Sequence, residues 1–235
     1  MDCGVDPAPH NAAMGTLYLV RHGQASFGAE DYDRLSDLGH RQCAQLGAWM
    51  QARGLRFEGV LRGTLRRHRE SLAALASALP GLPDAVEWPG LNEYDSEAVV
   101  RSVHAGELPR PDTPEAYRQH FRLLREGLAR WMAGEVQPEG MPSWQGFLQG
   151  VTSALDHVRT RHEGDVLLVS SGGPIATAVA HVLQAPPATA IELNLRIRNS
   201  ALTEFAFTPK RHMLVTYNTL PHLDHPERQG WVTFT

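Results

Sequence analysis

The sequence of 235 residues is poor in cysteine and in lysine, and both shortages narrow the classes of protein to which it can belong. Cys3 and Cys43 are the two cysteines, which is too few for a disulfide framework, and they show no metal-binding spacing. We therefore expect a reducing, cytoplasmic environment. Arginine heavily outnumbers lysine, which suits bidentate binding of phosphate or carboxylate. The formal net charge is −4 and no long basic run occurs, so we expect no binding to nucleic acid.

Long apolar runs are lacking as well. No stretch approaches the roughly 20 apolar residues that cross a bilayer, so we expect no membrane contact. The first fifteen residues have an aspartate where a signal peptide carries positive charge, and they have no apolar core. We expect residues 1–15 to be a disordered tail, with Met14 as an alternative start. Length and a hydrophobic fraction of 42% then favour a single α/β domain over residues 16–235.

The most informative stretch of the sequence is Thr16–Gln24. Its apolar run ends abruptly at Arg21-His22-Gly23, which predicts a strand buried on both faces, as in a parallel sheet. Open α/β sheets bind their ligands beyond the carboxyl ends of such strands. An arginine and a histidine at that place indicate anion binding with nucleophilic or acid–base chemistry. By themselves, the three residues are equally compatible with a strand-end charge and a turn glycine.

Two later segments repeat the pattern of strand, loop and helix. A strand predicted at Phe57–Leu61 leads into Arg62–Ser71, which contains four arginines. The clearest buried strand, Asp165–Ser170, ends at Ser171-Gly172-Gly173-Pro174, just before an apolar helix expected over 175–183. Backbone N–H groups at such a glycine-rich helix start form an anion site.

Capping residues predict where the helices begin. Ser36 can cap a helix that ends at Gly54, while Thr113-Pro114 and Ser143 begin two more helices. Pro174 is expected as the first residue of its helix. Between Ile191 and Tyr217 we expect two or three strands, with a hairpin near Pro209-Lys210.

Taken together, these motifs resemble the histidine phosphatase (phosphoglycerate mutase-like) superfamily, from about Leu17 to about Leu223. The most specific match is Leu-Val-Arg-His-Gly at the end of the first strand. The other matches are Leu35-Ser36 to Gly39 with Gln42, Leu65-x-Arg67 with Arg69-Glu70-Ser71, Glu93, Val-Ser-x-Gly-Gly at 169–173, Asn199-Ser200, and Asn218 to His222-Leu223. The resemblance implies a three-layer α/β sandwich with a mostly parallel central sheet and helices on both faces. An insertion at about 94–142 is expected to form a lid over the strand ends.

The resemblance also implies phosphoryl transfer through a phosphohistidine. His22 would be the nucleophile, with one ring nitrogen held by a backbone carbonyl, and Glu93 would act first as general acid and then as base. Arg21 and Arg67 would hold the phosphoryl oxygens, and the Gly172 N–H would add a further donor. Weaker candidates for substrate binding are Gln24, Ser26 and His68. No metal and no cofactor are implied, because the arginines supply the positive charge.

Each role has a structural alternative. His22 can be a structural histidine at a strand end, Arg67 a salt-bridged arginine at a helix start, and Glu93 a surface carboxylate. Arg66 and Arg69 are expected to be solvated or paired with acids. The remaining histidines, including His157, His162, His222 and His225, show no metal-ligand pattern and are expected at the surface or in packing.

Ser171 is the main departure from the family's pattern, since members typically have a histidine there that helps to hold the phosphoryl group. Ser171 can still donate one hydrogen bond, and His68 is an alternative occupant of that space. We favour a phosphomonoester hydrolase acting on a small phosphorylated molecule. The alternative is a degenerate member that binds a phosphorylated ligand or partner without turnover.

The loop Gln24-Ala25-Ser26-Phe27-Gly28 is too short for the long stretch that a glycolytic mutase has after its histidine. We therefore favour the hypothesis of a phosphoglycerate mutase less than that of a hydrolase. The oligomeric state stays open, with a homodimer through a sheet edge near the C-terminus as one alternative.

Overall fold

The computed structural model describes residues 14–26, 33–106 and 113–234, and a six-stranded mixed sheet lies at its centre. The strands are β1 Gly15–Arg21, β2 Gly59–Arg62, β3 Ala85–Glu87, β4 Val166–Ser170, β5 Leu202–Thr208 and β6 Arg211–Thr219. They lie side by side in the order β3-β2-β4-β1-β5-β6. The pairings among β3, β2, β4 and β1 are parallel, whereas β5 pairs antiparallel with both β1 and β6. The predicted α/β class with a mostly parallel sheet is confirmed.

Helices cover both faces of this sheet. They are α1 Asp37–Ala52, α2 Arg66–Ala76, α3 Ser96–Arg101, α4 Pro114–Met132, α5 Trp144–Arg161, α6 Gly172–Val182 and α7 Ala188–Asn194. Alternate residues of β1 belong to two separate cores, because successive side chains of a strand point to opposite faces. Leu17 and Leu19 pack with residues of α4 to α7, and Val20 packs with residues of α1 and α2. The result is the expected three-layer arrangement.

The predicted helix caps are confirmed. Ser36, Thr113 and Ser143 each precede a helix and accept a hydrogen bond from a backbone N–H of its first turn. Beyond the end of α1, Gly54 has a φ of +67°, a conformation that favours glycine.

Two predictions are wrong, one about where a helix begins and one about the type of an element. α6 begins at Gly172, so Pro174 is its third residue rather than its first. Residues 188–194 form helix α7 where a strand was expected to start, because Ala190 packs against Ala176 and Ala180 of α6. A short apolar run does not by itself distinguish a strand from a buried helix. β3 and α3 were not predicted, whereas the hairpin at Pro209-Lys210 joins β5 to β6 as expected.

The two ends of the predicted domain and its insertion are described only in part. β1 already includes Gly15, the last residue of the predicted tail, and residues 1–13 lie outside the described part of the chain. Phe27 and Gly28 of the short loop and residues 107–112 of the insertion also lie outside it. Within the insertion, α3 packs on α4, which also contacts α5 and α7. Its role as a lid stays a prediction. Throughout the described ranges, none of the helices combines the length and apolarity that crossing a bilayer requires.

Candidate active site

Three neighbouring parallel strands bring the predicted residues together at one edge of the sheet. β2, β4 and β1 lie side by side, so the residues that follow them share their carboxyl ends. His22 follows β1 and donates its N–H to Ser170 O of β4 at 2.9 Å. Gly63 follows β2 and donates to Val169 O of β4 at 3.1 Å. The backbone hydrogen bonds between neighbouring strands therefore continue into the loops that carry the candidate side chains.

His22 is held in one tautomer by its own chain. The residue is 3% exposed, and its ring Nδ1 lies 2.7 Å from Gly23 O. A carbonyl oxygen only accepts hydrogen bonds, so Nδ1 carries the proton and Nε2 of the neutral ring keeps its lone pair. Burial, together with the charges of Arg21 and Arg67, lowers the pKa of His22 well below its usual value. The ring therefore stays neutral at neutral pH, which is the form that a nucleophile requires.

Gly23 allows this turn to lie against α1. A Cβ at position 23 would come within 2.4 Å of Gly39 O in the first turn of that helix. The Gly23 N–H donates to Ser71 Oγ of α2 at 3.1 Å. The glycine of the Arg-His-Gly motif is thus required by a close backbone approach.

Arg21 and Arg67 both lie at this edge, 5% and 8% exposed. Arg21 Nη1 donates to Ile197 O at 2.6 Å, and Arg67 Nη1 donates to Asp33 Oδ1 at 2.8 Å. Both guanidinium charges act on the pKa of His22 and of Glu93, so the four groups form one electrostatic cluster. Arg66 pairs with Glu70, as expected for an arginine outside the site.

Glu93 lies at the N-terminus of α6. It follows a 3₁₀ turn over Pro89–Leu91, which Ser170 ties to β4 by donating to Leu91 O at 2.7 Å. Both carboxylate oxygens accept from the Gly173 N–H at 3.1 Å. Burial raises the pKa of Glu93, while the Gly173 hydrogen bond and the charges of Arg67 and Arg21 oppose that rise. A carboxyl group with a raised pKa is suited to donate a proton and then to accept one.

Ser171 and His68 form a buried pair next to this cluster. Ser171 Oγ lies 2.7 Å from His68 Nε2, and both residues are fully buried. The His68 ring centre is 6.0 Å from that of His22. Burial and the charges of Arg67 and Arg62 lower the pKa of His68 to about 3, so the ring is neutral at neutral pH.

Gln24 and Ser26 take part in the hydrogen bonds of their own loop. Gln24 Oε1 accepts from Ser36 Oγ at 2.8 Å, and the Ser26 N–H donates to Arg34 O at 2.8 Å. Gly172 is the first residue of α6, and its N–H has no acceptor within the helix. The roles of all these residues toward a substrate stay predictions.

Several residues that support the site were not predicted. Asp33 binds Arg67, and Asn92 ties the loop before α2 to the turn before Glu93 through paired hydrogen bonds with Thr64. Single polar residues in loops carry no periodic signal, so the sequence offered nothing to find them by. Across the ranges that the structure describes, no cluster of three or more His, Cys, Asp or Glu side chains is placed to hold a metal ion.

The chain is similar to a known protein family in sequence and to solved structures in fold. The model of the histidine phosphatase superfamily (branch 1) matches residues 17–220. None of the curated protein sequences matches the chain. Among solved structures, a phosphoglycerate mutase from Bacillus anthracis has a TM-score of 0.63 and 16% identity over 90% of this chain and 96% of its own.

Two phosphatases have a similar fold. A phosphoserine phosphatase from Entamoeba histolytica, in complex with phosphoserine, has a TM-score of 0.61 and 18% identity over 89% of this chain and 99% of its own. A mycobacterial glucosyl-3-phosphoglycerate phosphatase has a TM-score of 0.60 and 20% identity over 87% and 99%. At these identities the likeness concerns the fold.

Proposed function

Since the chain belongs to the histidine phosphatase superfamily, we propose that it is a phosphomonoester hydrolase that works through a phosphohistidine at His22. The observation that carries the proposal is the fixed tautomer of His22. Because Nδ1 is bonded to Gly23 O, the unprotonated Nε2 faces away from that carbonyl, and the charges of Arg21 and Arg67 act on the ring. Superfamily members include hydrolases and mutases, and both kinds are among the similar structures. The proposed substrate is a small phosphorylated molecule.

In the first half of the reaction, His22 Nε2 forms a bond to phosphorus as the ester oxygen leaves. Arg21 and Arg67 hold the phosphoryl oxygens, over which charge spreads in the transition state. Glu93 gives its proton to the leaving oxygen. In the second half, Glu93 takes a proton from water as the water oxygen attacks phosphorus, and inorganic phosphate leaves with His22 restored.

The Ser171–His68 pair takes part in the proposal as a phosphoryl-binding element. In the tautomer with Nε2–H, His68 donates to Ser171 Oγ and leaves the serine hydroxyl proton for a phosphoryl oxygen. The Gly172 N–H, at the positive end of α6, adds a backbone donor. In this proposal, Ser171, hydrogen-bonded to His68, takes the place of the histidine that family members typically have at this position.

Phosphate release from an aryl phosphate tests the proposal, with wild type compared with His22→Ala and a control. We expect hydrolysis and acid-labile phosphoenzyme labelling in wild type and neither in His22→Ala. His40→Ala is the matched control, because His40 lies exposed on α1 and should keep full activity. Hydrolysis by His22→Ala at the wild-type rate would refute the phosphohistidine mechanism.

The second candidate function is binding of a phosphorylated ligand without turnover, and Ser171 is the observation that favours it. Loss of one preorganised donor can lower turnover by roughly a hundredfold to a thousandfold. The double variant Ser171→His with His68→Ala restores an imidazole and removes the ring that occupies its space. Activity that appears only in this variant supports the binding role for the natural chain. Activity in wild type, lowered by His68→Ala alone, supports the hydrolase.

A further inference from the structure

A chain of hydrogen bonds reaches the main chain of His22 from the C-terminal part of the protein. His22 O accepts from the Ser200 N–H at 3.1 Å, and Ser200 Oγ lies 2.9 Å from His222 Nε2. The three residues are 3%, 0% and 1% exposed. We infer that His222 is a positioning residue that fixes the nucleophile His22 through Ser200, an inference that rests on the proposed role of His22.

Ser200 needs an anchor because of its backbone conformation. Its φ is +55°, in the left-handed region, which is unfavourable for a residue other than glycine. In that conformation its N–H reaches His22 O while the neighbouring Ala201 O accepts from the Arg21 N–H at 3.0 Å. The side-chain bond to His222 holds the strained residue in place, so the two hydrogen bonds with Arg21 and His22 depend on it.

His222 is itself fixed at both its main chain and its ring. Its carbonyl accepts from Arg228 Nη1 at 3.2 Å, and the next residue, Leu223, is buried. Burial lowers the pKa of His222 to about 3, with Arg228 adding to the shift. A neutral ring keeps its bond to Ser200 throughout the neutral range.

The same C-terminal segment also reaches the other side of the His22 loop. Thr233 O accepts from the Asn199 N–H at 3.0 Å, and Gln42 Nε2 donates to Thr233 Oγ1 at 3.0 Å and to Trp231 O at 2.6 Å. Gln42 Oε1 accepts from the Gln24 N–H at 2.9 Å, two residues after His22. The segment therefore supports the residues on both sides of the nucleophile.

The consequence for chemistry follows from where the His22 ring is anchored. Nδ1 is bonded to Gly23 O, and the peptide that joins His22 to Gly23 is the one whose His22 carbonyl Ser200 holds. The N–H of the same peptide is held by Ser71 Oγ, and Gly23 O belongs to the next peptide. If Ser200 moves, the peptide keeps only the Ser71 anchor and can turn, which shifts Gly23 O and weakens the bond that fixes the tautomer and orientation of the ring. Misplacement of a reacting group by about 1 Å can cost on the order of a hundredfold in rate.

The test compares His222→Phe with His222→Gln, whose side-chain amide nitrogen can take the place of Nε2. We expect kcat to fall about tenfold or more in His222→Phe, with a much smaller change in KM, and to recover in His222→Gln. By ¹⁵N NMR of the ring nitrogens, His22 should be a mixture of tautomers in His222→Phe and a single tautomer in wild type. His212→Phe is the matched control, a half-buried histidine on β6 packed against Phe205 and Phe207, and it should change neither readout.

A double variant tests whether His222 acts through Ser200. Glycine adopts a φ of +55° without strain and keeps the N–H, so Ser200→Gly should make His222→Phe several-fold less harmful than it is in wild type. Equal losses in the two backgrounds, or a single His22 tautomer in His222→Phe, would overturn the inference. Ser200→Ala removes the anchor while leaving His222, and it provides the same tautomer test if His222→Phe does not fold.

Failure of the proposed function gives a different pattern. A wild type that neither hydrolyses phosphate esters nor becomes phosphorylated refutes the hydrolase. The tautomer of His22 in the variants is measured without substrate, so it still decides whether His222 positions that ring.

Discussion

At the scale of single residues, burial shifts the pKa values of His22 and Glu93 in opposite directions. Burial lowers the pKa of the imidazole and raises that of the carboxyl group, so neutral His22 and protonated Glu93 coexist over a wider range of pH than free side chains allow. This pair of forms is the one that the proposed first chemical step needs. The arginines that flank both groups strengthen the shift at His22 and weaken the shift at Glu93.

A pH profile of kcat/KM follows from these shifts. The rate should fall as pH rises through the raised pKa of Glu93, because the acid is then lost. It should hold on the acidic side of the usual histidine pKa, because His22 stays neutral there. Glu93→Gln should abolish the alkaline limb and lower kcat/KM about 10²–10⁴-fold for an alkyl phosphate, but less for p-nitrophenyl phosphate, whose leaving group needs little protonation.

The exposed Glu115→Gln on α4 is the control and should leave the profile unchanged. An alkaline limb that persists in Glu93→Gln would assign it to another group and remove Glu93 from the role of acid.

At the scale of elements, the N-terminus of α6 is where helix, carboxylate and strand end meet. A Cβ at Gly173 would lie 2.1 Å from Glu93 Oε1 and 2.7 Å from the Tyr94 ring. Gly173→Ala should therefore displace Glu93 and lower kcat by about tenfold or more, with a smaller effect on the thermal midpoint. Gly146→Ala is the matched control in the first turn of α5, where the nearest atom is 3.3 Å away. Wild-type kinetics in Gly173→Ala would contradict the placement of Glu93.

The elements also show what the sequence could predict. Capping residues and buried apolar runs marked β1, β4, α1, α4 and α5, since these signals are local. The identity of α7 depended on its packing against alanines of the preceding helix α6, and the local apolar pattern of residues 188–194 does not indicate that contact. Arg21 and His22 were predicted from one strand end. The motif matches at Asn199-Ser200 and His222-Leu223 did not indicate that Ser200 and His222, 22 residues apart, form a hydrogen bond.

At the scale of the whole molecule, buried neutral histidines make stability depend on pH. His68 and His222 have pKa values of about 3 in the folded protein, against about 6.5 when unfolded. Because the folded pKa values are lowered, the unfolded chain binds more protons between these limits. The contribution of these two groups to the free energy of unfolding should thus be constant above pH 7 and fall as pH drops below 6.5, by about 1.4 kcal/mol per pH unit for each group.

Urea unfolding between pH 5 and 8 measures this slope. His222→Phe should reduce the slope by one proton, whatever its effect on the absolute stability. An unchanged slope in His222→Phe would show that His222 is protonated in the folded protein.

The order of strands across the sheet also has a consequence for synthesis. β1 is made first, yet it lies between β4 and β5, and its Leu17 pairs with Val166. At roughly 5–20 residues per second, a ribosome needs on the order of ten seconds or more to reach that partner. During this time the nascent chain carries an apolar strand with both edges unpaired. The strand that leads to His22 therefore stays without its sheet neighbours until β4 and β5 have been made.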